Sequence, residues 1–388
     1  MKNDGIPATC EALLSRMVAY NTVNTRYGGA KNGEAELASY LERLAEGWGL
    51  GVRRYPLGEG AFNLFVFAEV SPGGEWLLFD SHLDTVGGGG ASGPVVEAAI
   101  RQGEIHGRGT CDTKGSGAAM LWALRLAVRL GELTRNVGIF FTVDEEAGMT
   151  GAMHVAREVL PGWGAPIRGI FVGEPTELTP LVAHNGVVRW TVVTHGRAAH
   201  SSDPTAGKSA ISAMLRVVDA FEREYVPTAS RTHPLTGAAA ASVNVIRGGT
   251  QVNIIPDRCE IEIDRRLVPG ETAGDALAKW DEIVRGVVAR HPDVEVAYSG
   301  PAYVVPPLED GLNAGFYAWM KPVLLAAGMD AEKRGARYVT NASHYAAAGV
   351  PTIVFGPGDI AQAHTEDEWL ALDQLENAAG LYFELMHT

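Results

Sequence analysis

The stretch that most constrains the fold is Val137-Gly138-Ile139-Phe140-Phe141-Thr142-Val143, an apolar run that closes on three consecutive acids, Asp144-Glu145-Glu146. A short run of this kind reads as a buried strand. Charge at the end of such a strand faces the crevice where open α/β sheets hold their ligands. The adjacent glutamates read as one metal ligand and one general base, since a carboxylate engaged with a cation cannot also accept a proton.

The chain around this strand alternates between helix and strand. Amphipathic helices are predicted at 9–20 and 34–47, strands at 63–68 and 76–80, and a helix through Met120, Leu121, Leu124 and Leu130. After the central run come a further helix, a strand at 169–172 and, much later, a strand at 351–355. That alternation predicts an α/β domain with a mostly parallel sheet covered on both faces.

The pattern changes between these parts. A strand at 187–194, a helix at 207–223, strands at 241–246 and 259–267 joined through Gly248-Gly249, a helix at 272–290 and a strand at 294–298 follow in order. The sequence β-α-β-β-α-β is the ferredoxin-like split motif, so a small domain is predicted at 186–298, inserted between 1–185 and 299–388. Thr365-x-x-Glu368 has the form of a capping box and predicts that the last helix begins at Thr365. The glycines at 87–90 read as a flexible active-site loop.

Acidic residues outnumber basic ones, 46 to 32, and the net charge of −14 argues against nucleic acid or an anionic membrane surface as partner. The three cysteines, Cys10, Cys111 and Cys259, have neither disulfide-framework nor metal spacing, which predicts a reduced, cytoplasmic setting. Cys111 reads as a small packed residue. Residues 1–7 lack the apolar segment of a signal peptide, and no uncharged run approaches the roughly 20 residues of a bilayer span. Gly207-Lys208-Ser209 resembles the end of a phosphate loop, but Ser202 stands where that loop needs its first glycine.

The polar residues at element ends carry the chemistry. His82, Glu146 and Glu174 each follow a predicted strand, Asp112 precedes a helix, and His364 lies between strand and helix. In a parallel sheet such ends converge on one rim. Two imidazoles and three carboxylates there suit zinc, with cobalt or manganese as alternatives. Two dications are balanced by three carboxylates and one hydroxide, so a two-metal site could be buried without net charge. Asp84, two residues after His82, shares its face if the strand continues and is suited to orient the imidazole. The residues alone do not say which of Glu145 and Glu146 is the ligand.

Ser81-His82-Leu83-Asp84-Thr85, Gly109-Thr110-Cys111-Asp112-Thr113-Lys114-Gly115, Asp144-Glu145-Glu146, Gly173-Glu174-Pro175-Thr176 and Ala363-His364 resemble, in order and spacing, the signature of the M20 zinc aminoacylase and exopeptidase family. The resemblance implies that Asp112 bridges two zinc ions, with His82 and Glu174 completing one and Glu146 and His364 the other. It also implies that Glu145 is the general base and Asp84 the carboxylate behind the metal shell.

In the inserted domain, the stretch from His195 to Ser201 resembles the family's lid motif. Its last histidine, His200, would stabilise the oxyanion and often reaches a partner subunit's site. The stretches at 251–257 and 264–270 resemble those that supply Asn253 and Arg266 to the substrate carboxylate, a task a guanidinium suits. Arg266 is matched in place of Arg265 because it lies four residues before Gly270, as in the deacetylase-like pattern. Asn341 stands where relatives carry an aspartate and is left out of the site.

The resemblance implies a zinc-dependent hydrolase that cleaves the amide bond of a small N-acyl amino acid, most like acetylornithine deacetylase. A dipeptidase, a glutamate-releasing carboxypeptidase and a succinyl-diaminopimelate desuccinylase are the alternatives. The implied partners are a small N-acyl amino acid or short peptide as substrate and a second copy of the chain, with the inserted domain as lid and dimer contact.

Overall fold

The computed structural model describes residues 6–88 and 97–388, so Gly89 and Gly90 of the glycine loop lie outside the described residues. The chain forms two compact units. One is built from Met1–Val182, Asp310–Arg334 and Thr340–Thr388, the other from Ala183–Glu309 and Gly335–Val339. No helix among the described residues is long and apolar enough to cross a membrane.

The first unit is an α/β layer structure on a mixed sheet. Its centre is parallel: Trp76–His82 lies between Asn136–Thr142 and Ile167–Val172, and Thr352–Val354 pairs in parallel with the outer side of Ile167–Val172. Every residue of Trp76–His82 and Asn136–Thr142 is buried, which suits the apolar runs 76–79 and 137–141, while the polar Asp80, Ser81, His82 and Thr142 gather at the ends of the two strands. On both sides of this centre the sheet turns antiparallel, as Ala61–Ala68 pairs with Asn136–Thr142 and with Gly51–Gly58, and Leu181 pairs with Val354. Glu59 and Gly60 link that hairpin with φ of 48° and 85°, the mirror-image turn whose twist matches paired strands. Strand and helix alternation in the sequence did not register this edge.

Helix Lys114–Leu130 packs on Leu372–His387 and Cys10–Val18 and stops at Gly131, whose φ of 72° supplies the left-handed cap. The last helix therefore begins at Leu372, not at Thr365. The predicted capping box is not formed. Thr365 Oγ1 donates to Gln362 O, while the Glu368 carboxylate accepts the backbone N–H groups of Gly109, Cys111 and Asp112. A pattern that normally closes locally is satisfied here by a loop remote in sequence.

The second unit has the β-α-β-β-α-β order. Its antiparallel sheet runs Ala240–Gly248, Arg258–Leu267, Gly186–His195, Glu295–Tyr298. Within Arg258–Leu267, positions 259–267 alternate between buried and half-buried, the signature of a sheet with one face on a core. That core is aromatic: Trp280 from helix Ala273–Arg290 meets Trp190 of the sheet at 6.0 Å, Tyr225 at 5.6 Å and Phe221 at 5.9 Å between ring centroids. The unit extends beyond 186–298 because Tyr303–Val305 adds to the sheet against Val187–Arg189.

Trp280 is wholly buried, so Trp280→Ala opens a cavity that its rigid neighbours cannot fill. A loss of about 3–5 kcal/mol is expected, measured by denaturant unfolding. A loss below about 1 kcal/mol would contradict this account of the core.

Candidate metal centre

Each predicted ligand of the first unit is set by an element end. His82 is the last residue of Trp76–His82, Glu145 and Glu146 follow Asn136–Thr142, and Glu174 follows Ile167–Val172. Asp112 lies in the turn before helix Lys114–Leu130, and His364 follows a short helical turn after Thr352–Val354. Gly173 is required where it stands, since a Cβ there would approach Ser116 Cβ of the helix to 2.5 Å.

His82, Asp112 and Glu146 offer ligand atoms that all lie within 4.8 Å of one another. His82 Nε2 is 3.1 Å from Asp112 Oδ1, and His364 Nε2 is 3.3 Å from Asp112 Oδ2 and 3.1 Å from Glu146 Oε2. Asp112 thus turns one carboxylate oxygen to each imidazole. Glu174 lies outside the tight trio but is buried, and the charges of Asp112, His82 and Glu146 act on its carboxyl. His364 sits at a φ of 65°, a left-handed backbone that a non-glycine residue adopts at a cost of about 1–3 kcal/mol, often at functional sites.

The electrostatics are those of crowded acids. Burial, followed by the charge of Glu174, holds the Glu145 carboxyl well above its ordinary range, and burial with the charge of Asp112 does the same to Glu174. Glu146 is pushed up by the same pair of causes. Asp112 goes the other way: burial alone would raise it, but the bonds from His364 and His82 hold it below the usual carboxylate range. Those bonds to Asp112 and Glu146 lift His364 to about 10. Burial opposes protonation of His82, yet its contacts with Asp112 and Asp84 keep it well above the ordinary value.

These residues fit a divalent metal centre. Glu146 Oε1 is buried without a hydrogen-bond partner, and the donor set is imidazole nitrogen and carboxylate oxygen, the chemistry zinc takes. The raised carboxyls are the ones that such charge would bring back to the ionised state.

Asp84 does more than was predicted. His82 Nδ1 is 2.9 Å from its backbone oxygen and 3.4 Å from its carboxylate, which fixes the ring and aims Nε2 at Asp112. The same carboxylate accepts the N–H groups of Glu145 at 3.0 Å and Glu146 at 3.1 Å, so it also shapes the loop that carries the two glutamates. Sequence reading missed Asn24, whose amide donates to both Asp84 and Asp144, each at 2.9 Å. It also missed Glu34, which accepts the Asp144 N–H and is pushed up to about 8 by burial and then by Asp84. Neither lies in a motif.

Asn341 proves to have a structural partner. Its amide donates to Asp80 Oδ2 at 3.0 Å and to Thr142 Oγ1 at 3.2 Å, while burial raises the Asp80 carboxyl to about 6. An aspartate at 341 would face Asp80 with a second acceptor; the amide supplies a donor. Cys111 is buried, its thiol raised by burial and directed at Asp359 O, as fits a packed residue.

His200, Asn253 and Arg266 belong to the second unit. Ala199-His200 pairs with Ile254-Ile255, and Ser201 N–H donates to Asn253 O at 3.0 Å, so His200 and Asn253 share one short ladder. Nδ1 of His200 accepts from the backbone N–H of Ser202 at 3.2 Å and lies 2.7 Å from its hydroxyl. With Nδ1 accepting, a neutral ring carries its proton on Nε2. Arg265 is buried and bound to Glu271 at 2.8 Å, whereas Arg266 pairs with Asp264 at 2.7 Å and stays one-third exposed.

The family model described as Peptidase family M20/M25/M40 matches residues 78–388. The chain is similar to an acetylornithine deacetylase of Proteus mirabilis, 32% identical over 364 residues that cover 90% of this chain and 88% of the relative. It is also similar to a probable carboxypeptidase of Aspergillus clavatus, 28% identical over 95% of this chain and 87% of the relative. Among solved structures, the YXEP protein of Bacillus subtilis, described as a dinuclear metal binding peptidase, superposes with a TM-score of 0.69 at 16% identity over 97% of this chain and 96% of its own. The chain belongs to peptidase family M20/M25/M40 and is a hydrolase acting on amide or peptide bonds.

Proposed function

We propose that the first unit holds two divalent cations, zinc for preference, and hydrolyses the amide bond of a small N-acyl amino acid in the manner of acetylornithine deacetylase. The observation that carries this is Asp112, with one oxygen toward His82 and the other toward His364, the disposition a bridging carboxylate needs. In this reading His82 and Glu174 complete one cation's protein ligands, and Glu146 and His364 the other's. When bound, the cations would acidify a water toward neutrality and polarise the scissile carbonyl.

Glu145 is left free of that ligand set. Its carboxylate takes the proton from the attacking water and returns it to the leaving amine nitrogen, and Asp84 holds its backbone in place through the Glu145 N–H. In the second unit the exposed Nε2–H of His200 is a donor suited to the oxyanion of the tetrahedral state. Asn253, one residue before the segment paired with His200, and the part-exposed Arg266 are suited to a substrate carboxylate. Arg265 is buried with Glu271, whereas Arg266, though paired with Asp264, is one-third exposed, which supports the choice of Arg266. The likeness to the Aspergillus clavatus protein favours a carboxypeptidase or dipeptidase as the second reading.

Glu145→Gln is expected to retain zinc and fold while kcat falls about 10²–10⁴-fold, read by steady-state kinetics with metal analysis; turnover like that of the natural chain would refute the base assignment. Hydrolysis of N-acetylornithine is expected to exceed that of simple dipeptides in side-by-side assay, and the reverse order would select the second reading. The second unit is also proposed to mediate a homodimer, since Ala240–Gly248 stands at the edge of its sheet and carries Ile246, 57% exposed. Sedimentation is expected to give a dimer, and a fully active monomer would dispose of that role.

A further inference from the structure

The loop that carries Asp112 has little regular structure of its own, so its backbone N–H groups need partners from elsewhere. They find them in one side chain. Glu368 Oε1 accepts from Cys111 N at 2.9 Å and Asp112 N at 3.0 Å, while Oε2 accepts from Gly109 N at 2.9 Å and from Arg108 Nη1 at 2.7 Å. Successive N–H groups around a carboxylate form an anion nest, and here the anion belongs to the protein. The segment behind Glu368 is also fixed, since Gly107 N donates to Glu368 O and Trp369–Ala371 pairs with Glu104–His106.

The second arm of Arg108 completes a tether. Its Nη2 donates to Thr365 O at 2.7 Å, on the residue that follows His364. One buried ion pair therefore joins the backbone of Asp112 to the loop of His364, and these are the two side chains that meet at 3.3 Å. We infer that Glu368 is a positioning residue for the metal centre: it holds the Asp112 loop in a nest of N–H groups and, through Arg108, sets the spacing between Asp112 and His364. The inference rests on the two-metal reading above.

A carboxylate is needed there, not merely a side chain of that length. Glutamine has the same shape but one acceptor oxygen, and its amide would turn N–H groups toward backbone N–H donors. Left unmade, those bonds release the peptide that orients Asp112. Outer partners of metal ligands, when replaced, weaken metal affinity by about 10–100-fold, and that range is expected for Glu368→Gln.

The test uses the full chain stripped of metal, titrated with zinc against a competing chelator, with the fold followed by circular dichroism. Glu368→Gln is expected to bind zinc about 10–100-fold more weakly, to recover turnover as zinc is raised, and to keep its KM. Equal zinc affinity in a folded Glu368→Gln protein overturns the inference. If that variant does not fold, Arg108→Lys decides, since it keeps the charge but loses the fork that spans Glu368 and Thr365. A severalfold loss of zinc affinity supports the tether, and an unchanged affinity overturns it. A natural chain that takes up no zinc, or His82→Ala and Asp112→Ala chains that bind as well as it does, would remove the metal centre itself; normal binding by the natural chain matched by Glu368→Gln removes only the role of Glu368.

Discussion

Carboxylates that belong together chemically repel one another physically, and Asp112, Glu145, Glu146 and Glu174 all sit at one rim of the sheet, with little water to screen them. Two like charges about 4 Å apart oppose each other by about 4 kcal/mol at an effective dielectric near 20. Several such pairs approach the whole net stability of a domain, about 5–15 kcal/mol. The fold holds the loops that carry these acids with hydrogen bonds whose donors are mostly backbone. Asp84 takes two N–H groups of the glutamate loop, Glu368 takes three from the Asp112 loop, and Asn24 ties Asp84 to Asp144. Among the acids themselves, His82 reaches Asp112, and His364 reaches Asp112 and Glu146. Positive charge between the acids would complete the balance.

Much of the site was legible because it obeys period and position. An apolar strand that ends in acids marks a rim, and several such endings in one parallel sheet point to the same place. His82, Asp112, Glu146 and His364 meet there for that reason. What was not legible is the support beneath them. Glu368 was matched to a local capping pattern because helix signals are local, whereas its partners lie some 260 positions away in the chain. Asn24 and Glu34 sit in no motif, since a side chain whose partners are remote in sequence needs no particular neighbours. The hairpin of Gly51–Gly58 and Ala61–Ala68 was half seen, because Arg53 and Arg54 break its first strand's apolar pattern at exposed positions.

In the second unit, the strand–helix order was legible from periodicity, and its aromatic core follows from the same pattern. The finer chemistry depends on partners that spacing does not encode. Arg265 and Arg266 each have a carboxylate partner, Glu271 and Asp264, and differ in burial: the first is enclosed and the second one-third exposed. The tautomer of His200 is decided by Ser202, two residues on. Asn341 is decided by Asp80, a buried acid better served by a donor than by another acceptor.

The most direct measurement is anomalous diffraction at the zinc edge from crystals of the zinc-loaded chain. The account predicts two peaks, with Asp112 touching both, His82 and Glu174 on one side, Glu146 and His364 on the other, and Glu145 coordinated to neither. A single peak, peaks away from Asp112, or Glu145 bound to metal as a ligand would contradict it.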